Sequence, residues 1–448
     1  MKRFYEWVNN HCLPAEQSYS APRDISEHAH SNRSHSAGAH LIALSLAKAS
    51  DALADIKIVL PWLLTALGAP AFFIGWLVPL REALTLLPQL LIAHWIRRFA
   101  QRKMLWSLGG LIQGLSILLM ALIPFIGVES NVAGWLILAL LVVFSLGRCL
   151  CSIVIKDVKG KTIDRRRRGT VSGTSTSYAG IAGIVFAMAI MLGWLTEMSL
   201  SAISLVLAIA GLLWLLAAAT YLSVPEQADS IPASTDTTVY FFRQWTLLLK
   251  YPHLIHFLVT RSLFLSTALV APFYVILANQ NSANDVVSLG GLILLTGIAN
   301  LLSGRVWGSF ADTSSRKVMT FAGALCGVLA LAVVVGLVWQ LPVAGTSWWY
   351  GLVIFVLYIG HAGVRLGRAT YLVDMSNADN RARLVALSNT IIGIVLLLIG
   401  AGSAFLGQYS IELTITILGL FSFLAAIMAW RLPEISLPQD TAPRLRIQ

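Results

Sequence analysis

The sequence predicts an all-α integral membrane protein: twelve transmembrane helices in two six-helix halves, with the N- and C-termini cytoplasmic. Three observations carry this. The first is composition: of 448 residues, 57% are hydrophobic and only 12% are charged, whereas a soluble domain carries roughly 25% charged residues. The second is segmentation: polar breaks divide the chain into about twelve apolar stretches, most near the ~20 residues that a 30 Å hydrocarbon core requires. The third is charge placement. Every second connector (68–71, 127–134, 193–200, 278–288, 340–346, 407–411) holds neither Lys nor Arg, while the others carry Arg97-Arg98…Arg102-Lys103, Lys156…Arg165–Arg168, Arg316-Lys317, and Arg381 with Arg383. Short loops rich in Lys and Arg stay cytoplasmic, so the alternation sets an even number of spans.

In chain order, residues 1–40 form a polar, mostly disordered cytoplasmic tail with no apolar leader and a short interfacial helix near Phe4–Val8. The tail's His28, His30, His35 and His40 suit a solvated segment better than a metal site. Spans follow at Leu41–Leu67, Phe72–Trp95, Met104–Phe125, Trp135–Ile155, Thr170–Trp194 and Ala202–Leu222. A cytoplasmic linker at 225–252, rich in Pro and acidic residues, separates them from a second set: His253–Leu277, Leu289–Phe310, Val318–Trp339, Trp348–Val373, Leu384–Leu406 and Leu413–Trp430. The resulting units are 41–224 and 253–431, with a cytoplasmic tail at 432–448. In lipid each span must satisfy its own backbone, so each is a helix.

The halves echo one another. Arg148 precedes Asp157 and the Arg165–Arg168 run as Arg365 precedes Asp374, Arg381 and Arg383; Arg102-Lys103 and Arg316-Lys317 each open a third span. Matching type, spacing and place indicate a duplicated six-helix unit, a layout known in transporters.

At Gly308-Ser-Phe-Ala-Asp312-Thr-Ser-Ser-Arg316-Lys317 the chain resembles the major facilitator superfamily. That family places Gly-x-x-x-Asp-(Arg/Lys)-x-Gly-(Arg/Lys)-(Arg/Lys) between the second and third helices of each half. Thr313 and Ser315 depart from the pattern, and in the first half only Arg102-Lys103 survives of it. Asp157…Arg168-Gly169 is similar to the acid and Arg-Gly pair that close the fourth helix in many members. The resemblance covers about Leu41–Trp430. It implies two six-helix bundles rocking around a central cavity, with a cytoplasmic gate in which Asp157, Asp312 and Asp374 meet Arg168, Arg316 and Arg381. Each such pair is worth about 0–1 kcal/mol; the competing reading makes the basic runs purely topogenic. The Gly-Pro pair that drug–proton antiporters of the family carry in the fifth helix is absent.

Charges at membrane depth are costly and face a cavity or a partner. The first span holds Lys48, Asp51 and Asp55 on one helical face and Lys57 on another, with Pro61 placed to loosen the helix. Arg81 and Glu82 point about 100° apart in the second span. Arg148 stands in the fourth, Arg261 in the seventh, and His361, Arg365 and Arg368 in the tenth. We assign Arg148, Arg261, Arg81 and Lys48 to substrate contact or counter-ion roles, because cations grip carboxylate or phosphate. Glu82, Asp55 and Asp51 are assigned to proton coupling, because a desolvated carboxylate titrates near neutrality. Ion pairs that only join helices, such as Lys48 with Asp51 or Asp55 with Arg148, are the alternative.

Other classes fit less well. The net charge of +11 lies where lipid headgroups sit rather than in a patch for nucleic acid. Cys12, Cys149, Cys151 and Cys326 have no metal spacing. No P-loop motif is present, and neither His94, His361 nor the Cys149/Cys151 pair completes an enzyme's nucleophile and base. The expectation is a monomeric inner-membrane secondary transporter without cofactor or metal. It moves a small anionic or zwitterionic solute with a proton or other coupling ion, amid membrane lipid. A drug/proton efflux pump or a transporter-like sensor without flux is the alternative.

Overall fold

A computed structural model describes residues 2–13, 26–96, 98–191, 200–228, 252–280, 289–375 and 381–435. Its elements are helical: α1 (Lys2–Cys12), α2 (Glu27–Ser31), α3 (Arg33–Leu53), α4 (Val59–Ala66), α5 (Ala71–Leu86), α6 (Gln89–Ile96), α7 (Lys103–Ile126), α8 (Ser130–Thr162), α9 (Arg165–Met191) and α10 (Leu200–Tyr221) precede the linker. After it come α11 (Pro252–Leu263), α12 (Ser266–Leu269), α13 (Ala271–Gln280), α14 (Leu289–Thr313), α15 (Ser315–Val338), a 3-10 turn (Pro342–Gly345), α16 (Ser347–Asp374), α17 (Arg381–Tyr409) and α18 (Ile411–Trp430).

Among the described residues nine segments are long and apolar enough to cross a membrane: α7, α8, α10, α11 to α13 as one unit, α14, α15, α16, α17 and α18. The other three expected spans fall on α3–α4, α5–α6 and α9. The first two are interrupted, at residues 54–58 and at Leu87-Pro88, and α9 is rich in Ser, Thr and Gly. Each therefore lacks the uninterrupted greasiness of its neighbours. The protein is a multi-pass membrane protein, and its outer surface shows why. Leu108, Leu111, Leu115, Leu119 and Leu122 make one exposed stripe along α7, a pattern that suits lipid and would be an aggregation liability in water. Trp135, Trp339 and Trp348 are exposed near helix ends, where aromatic side chains meet the interface.

Within the first half, α7 lies against α8 and α10, α3 against α9 and α10, and α5 against α8; the second half repeats this with α15 against α16 and α18, and α14 against α16. The α7/α8 crossing is set by glycine: a methyl at Gly109 would lie 2.7 Å from the Gly147 carbonyl and from Cys151 Sγ. Cys149, Cys151 and Cys326 are buried free thiols, and Cys12 is half-buried. Trp106 stacks on Tyr221 at 4.0 Å and joins α7 to α10.

The duplication is visible in the ion pairs at the end of the molecule that bears the basic loops. In the first half Glu226, just past α10, accepts the Lys103 backbone N–H at 2.7 Å and so caps α7; its other oxygen meets Lys161 at 3.4 Å. In the second half Glu434, just past α18, accepts from Ser314, the α15 cap, at 2.6 Å and pairs with Arg316 at 3.2 Å. An acid after the sixth helix thus meets the start of the third helix in both halves, directly at the Lys103 N–H in the first and through the cap Ser314 in the second. A carboxylate at a helix N-terminus meets the unsatisfied N–H groups and the positive end of the dipole. The sequence signal was Val224-Pro225-Glu226 against Leu432-Pro433-Glu434, a repeat that the charge pattern had not exposed.

The expected interfacial helix is α1, extended to Lys2–Cys12. Tyr5 and Val8 are buried, Phe4 and Trp7 exposed. Tyr5 stacks on His35 at 5.1 Å. The rest of the described tail departs from the solvated, disordered segment expected: α2 and the start of α3 lie within it, and His40 is buried and meets Thr162 at 2.9 Å because α3 packs against the rest of the first half. Among the described residues no group of three or more His, Cys, Asp or Glu is placed to hold a metal ion.

Candidate functional site

The first span breaks where its charges concentrate. α3 ends at Leu53 and α4 restarts at Val59. In between, the Asp55 carbonyl accepts N–H bonds from Ile58, Val59 and Leu60 at 3.2, 2.8 and 3.3 Å. The Asp55 carboxylate Oδ1 accepts the Lys57 backbone N–H at 2.7 Å. This local turn competes with the helix, as short acidic side chains do. Pro61, in the first turn of α4, has no N–H to give back to the Lys57 carbonyl. Irregular backbone at membrane depth persists only where protein or a cavity surrounds it.

That break reaches across to α16. Tyr358 donates its hydroxyl to Asp55 Oδ2 at 3.1 Å. Lys57 Nζ lies 3.0 Å from His361 Nε2, and His361 Nδ1 lies 3.0 Å from Thr267 Oγ1 between α12 and α16. An ammonium can only donate, so Nε2 accepts and the ring proton sits on Nδ1. Thr267 in turn donates to the Phe264 carbonyl at 2.8 Å. Two side chains of the first half thereby close a polar network with three of the second. Tyr358, His361, Arg365 and Arg368 follow at spacings that put them on one face of α16.

The remaining charges are arranged as follows. Arg148 of α8 forms an ion pair with Asp51 of α3 and lies over the Trp214 ring at 5.9 Å, so the partner is Asp51 and not Asp55. Lys48 binds the Ser172 carbonyl, Ser175 and Thr176 of α9 at 2.9, 2.8 and 2.6 Å. Arg81 and Glu82 bond directly at 2.7 Å. The expected divergence of adjacent residues holds for their Cβ directions, but the long guanidinium stem turns back to its neighbour. Glu82 also lies in the field of Lys57, Arg368 and Arg148. Arg261 is buried and donates to Ser388 and to Asn389, the latter at 3.0 Å; Asn389 donates to Gln89 at 3.4 Å, joining α17 to the first half.

At the basic end the contacts seen for Asp157, Arg168 and Arg316 lie inside their own halves. Asp157 pairs with Arg102, and with Lys161 at 3.1 Å. Arg168 donates to the Ile163 and Gly160 carbonyls at 2.9 and 2.7 Å. Arg316, besides Glu434, donates to the Trp430 and Leu432 carbonyls at 3.1 and 3.0 Å. Asp374 is the last residue of α16. The side chains of Asp312 and Arg381 lie outside the described residues. Sequence reasoning had passed over Tyr358, Thr267 and Asn389. The signal for Tyr358 was its place on the His361–Arg365 stripe.

The halves touch most extensively along two seams, α5 on α17 and α9 on α14, and also where α4 and α5 meet α12 and α13, with charged and polar groups between them. This is the build of a membrane transport protein. The chain belongs to the Major Facilitator Superfamily, which residues 42–363 match. No curated protein matches the sequence. Among solved structures it is similar to a POT family transporter in complex with 5-aminolevulinic acid (11% identity, TM-score 0.67, covering 93% of this chain and 97% of that one). It is also similar to the nucleoside transporter NupG (11%, 0.64, 88% and 98%) and to the xylose transporter XylE from E. coli in an inward-open conformation (11%, 0.64, 90% and 96%). At these identities the likeness concerns the fold.

Proposed function

We propose that this protein is a secondary active transporter of the inner membrane that moves a small anionic or zwitterionic solute by alternating access, driven by protons. The reading takes twelve spans with both termini cytoplasmic, units at 41–224 and 253–431, and a linker at 225–252. One observation carries it: Asp55 and Lys57, on a broken helix of one half, bond to Tyr358 and His361 of the other. Contacts of this kind must break when the halves rock, so they report which side is closed and can be traded for solute contacts. The solved relatives include a D-xylose–proton symporter, so this fold accommodates proton coupling.

Within this reading Glu82 is the first proton carrier, with Asp55 and Asp51 beside it. Arg81 is Glu82's counter-ion and Arg148 is Asp51's. Arg261 and Lys48 sit at the cavity wall. Asp157, Asp312 and Asp374 with Arg168, Arg316 and Arg381 form the cytoplasmic gate when that side closes. The decisive experiment is uptake into proteoliposomes under an imposed pH gradient. Glu82→Gln is expected to abolish the gradient dependence while leaving exchange intact. Full gradient dependence in that variant would remove Glu82 from the role, and absence of flux for every solute in a broad library would favour a sensor.

A further inference from the structure

The face of α16 that bears Tyr358 and His361 carries more positive charge than the described side chains around it neutralise. Arg365 and Arg368 continue the stripe that begins with Tyr358 and His361. Arg365 is exposed and Arg368 half-buried, inside a segment long and apolar enough to cross the membrane. Among the described residues neither guanidinium makes a hydrogen bond or an ion pair with the protein. Both belong to one electrostatic neighbourhood: Lys57 feels Arg365 and Arg81, His361 feels Lys57, Arg365 and Arg368, and Glu82 feels Arg368.

The acids of that neighbourhood are already engaged. Glu82 is bonded to Arg81; Asp55 accepts from the Lys57 backbone and from Tyr358. The Lys57 ammonium donates to a histidine, not to a carboxylate. Three cations at membrane depth thus have no bonded counter-ion, an arrangement that is costly unless water or a ligand answers it. Two guanidinium forks one helical turn apart match oxygens that carry charge in pairs.

We propose that Arg365 and Arg368, with Lys57 on the broken segment that faces α16, bind the doubly charged oxyanion end of a small solute, a phosphate monoester or a pair of carboxylates. This rests on the transport reading above and narrows its solute to a dianion. A single negative charge would leave most of the excess standing. A zwitterion's ammonium would find Glu82 and Asp55 already bonded.

The test is thermal unfolding of the full-length protein in detergent at matched ionic strength, with inorganic phosphate, succinate, acetate or choline chloride as probe. Phosphate or succinate at saturation should raise the Tm by roughly 2–4 °C, and acetate and choline should not. Arg365→Gln and Arg368→Gln should each weaken the apparent affinity at least about tenfold, and Arg365→Lys less, because it keeps charge without the fork. Arg431→Gln, beyond the end of α18, should match the parent. Phosphate against succinate identifies the oxyanion. Equal stabilisation by acetate, or full stabilisation of the Arg365→Gln/Arg368→Gln double variant, overturns the proposal. So does a rise produced by phosphatidylglycerol nanodiscs and by no soluble anion. Dianion binding without flux in proteoliposomes leaves this site standing and removes the transport reading. Flux of an uncharged solute with no dianion binding does the reverse.

Discussion

Along α5 and α17 the two halves touch at three levels: a methyl at Gly75 would collide with the Ala404 backbone, one at Gly400 with the Pro79 ring, and one at Gly393 would lie 2.8 Å from Leu87. Along α9 and α14 the glycines meet side chains in the middle, where a methyl at Gly180 would lie 3.5 Å from Leu301 and one at Gly297 3.5 Å from Ile184. Gly169 and Gly173 share the face of Gly180, and Gly304 and Gly308 share that of Gly297. Around all four, a methyl would meet nothing within 4 Å among the described residues. Among the described residues the α9/α14 seam therefore opens around its glycines toward the basic end, while the α5/α17 glycines stay in contact. The same residue type serves two ends. Where backbones already touch, glycine permits the approach; where they do not, it preserves a smooth surface that can close later.

The comparison can be broken most severely at the shut seam. Gly75→Leu puts a side chain into the Ala404 backbone and should cost about 1–3 kcal/mol or more by overpacking. A melt in detergent should fall by several degrees or the protein should elute as aggregate; a parental melt would show that the seam is looser than its geometry. Next in size is Asp51→Asn, which leaves Arg148 without its counter-ion between α3 and α8. The pair is partly water-exposed, so the loss should be about 1–2 kcal/mol, below that of a fully buried pair. Its recovery in Asp51→Asn/Arg148→Met is the control, and no recovery would mean that Asp51 acts through something else.

Smaller still is Tyr358→Phe, which removes one cross-half hydrogen bond worth about 0.5–1.5 kcal/mol. Distances between spin labels on opposite halves should shift toward the state open on the far side by up to roughly tenfold in population; an unmoved distribution would exclude Tyr358 as a latch. The smallest stability effect belongs to Gly173→Leu and Gly304→Leu, within about 0.5 kcal/mol. Their signature is functional: they should hold the basic end open and slow turnover. Unaltered turnover would mean that these faces never meet.

The two seams also mark what was legible in the sequence. Greasy segments and the one-sided placement of Lys and Arg speak for a multi-pass protein because they act locally, on each segment's choice of solvent and side. The Gly308…Lys317 pattern named the family for the same reason. Pairings were harder. Lys57 and His361 are 304 residues apart, and nothing in either neighbourhood states that they meet. The break at residues 54–58 was half visible in Pro61, but the turn around Asp55 depends on a surrounding that periodicity cannot express. Arg81 and Glu82 defeated a rule about Cβ directions because long side chains have freedom beyond Cβ. Arg365 and Arg368 were visible as charges at depth; that no carboxylate among the described residues bonds to either is a property of the assembled helices.

The thiols set how this molecule can be watched. Three of the four lie inside helix packing, and only Cys12 is partly accessible. Replacing that single residue should give a nearly silent background for maleimide chemistry. Reporter dyes at positions 173 and 304 would then follow the gap itself, one molecule at a time, without stripping cysteines from the interior.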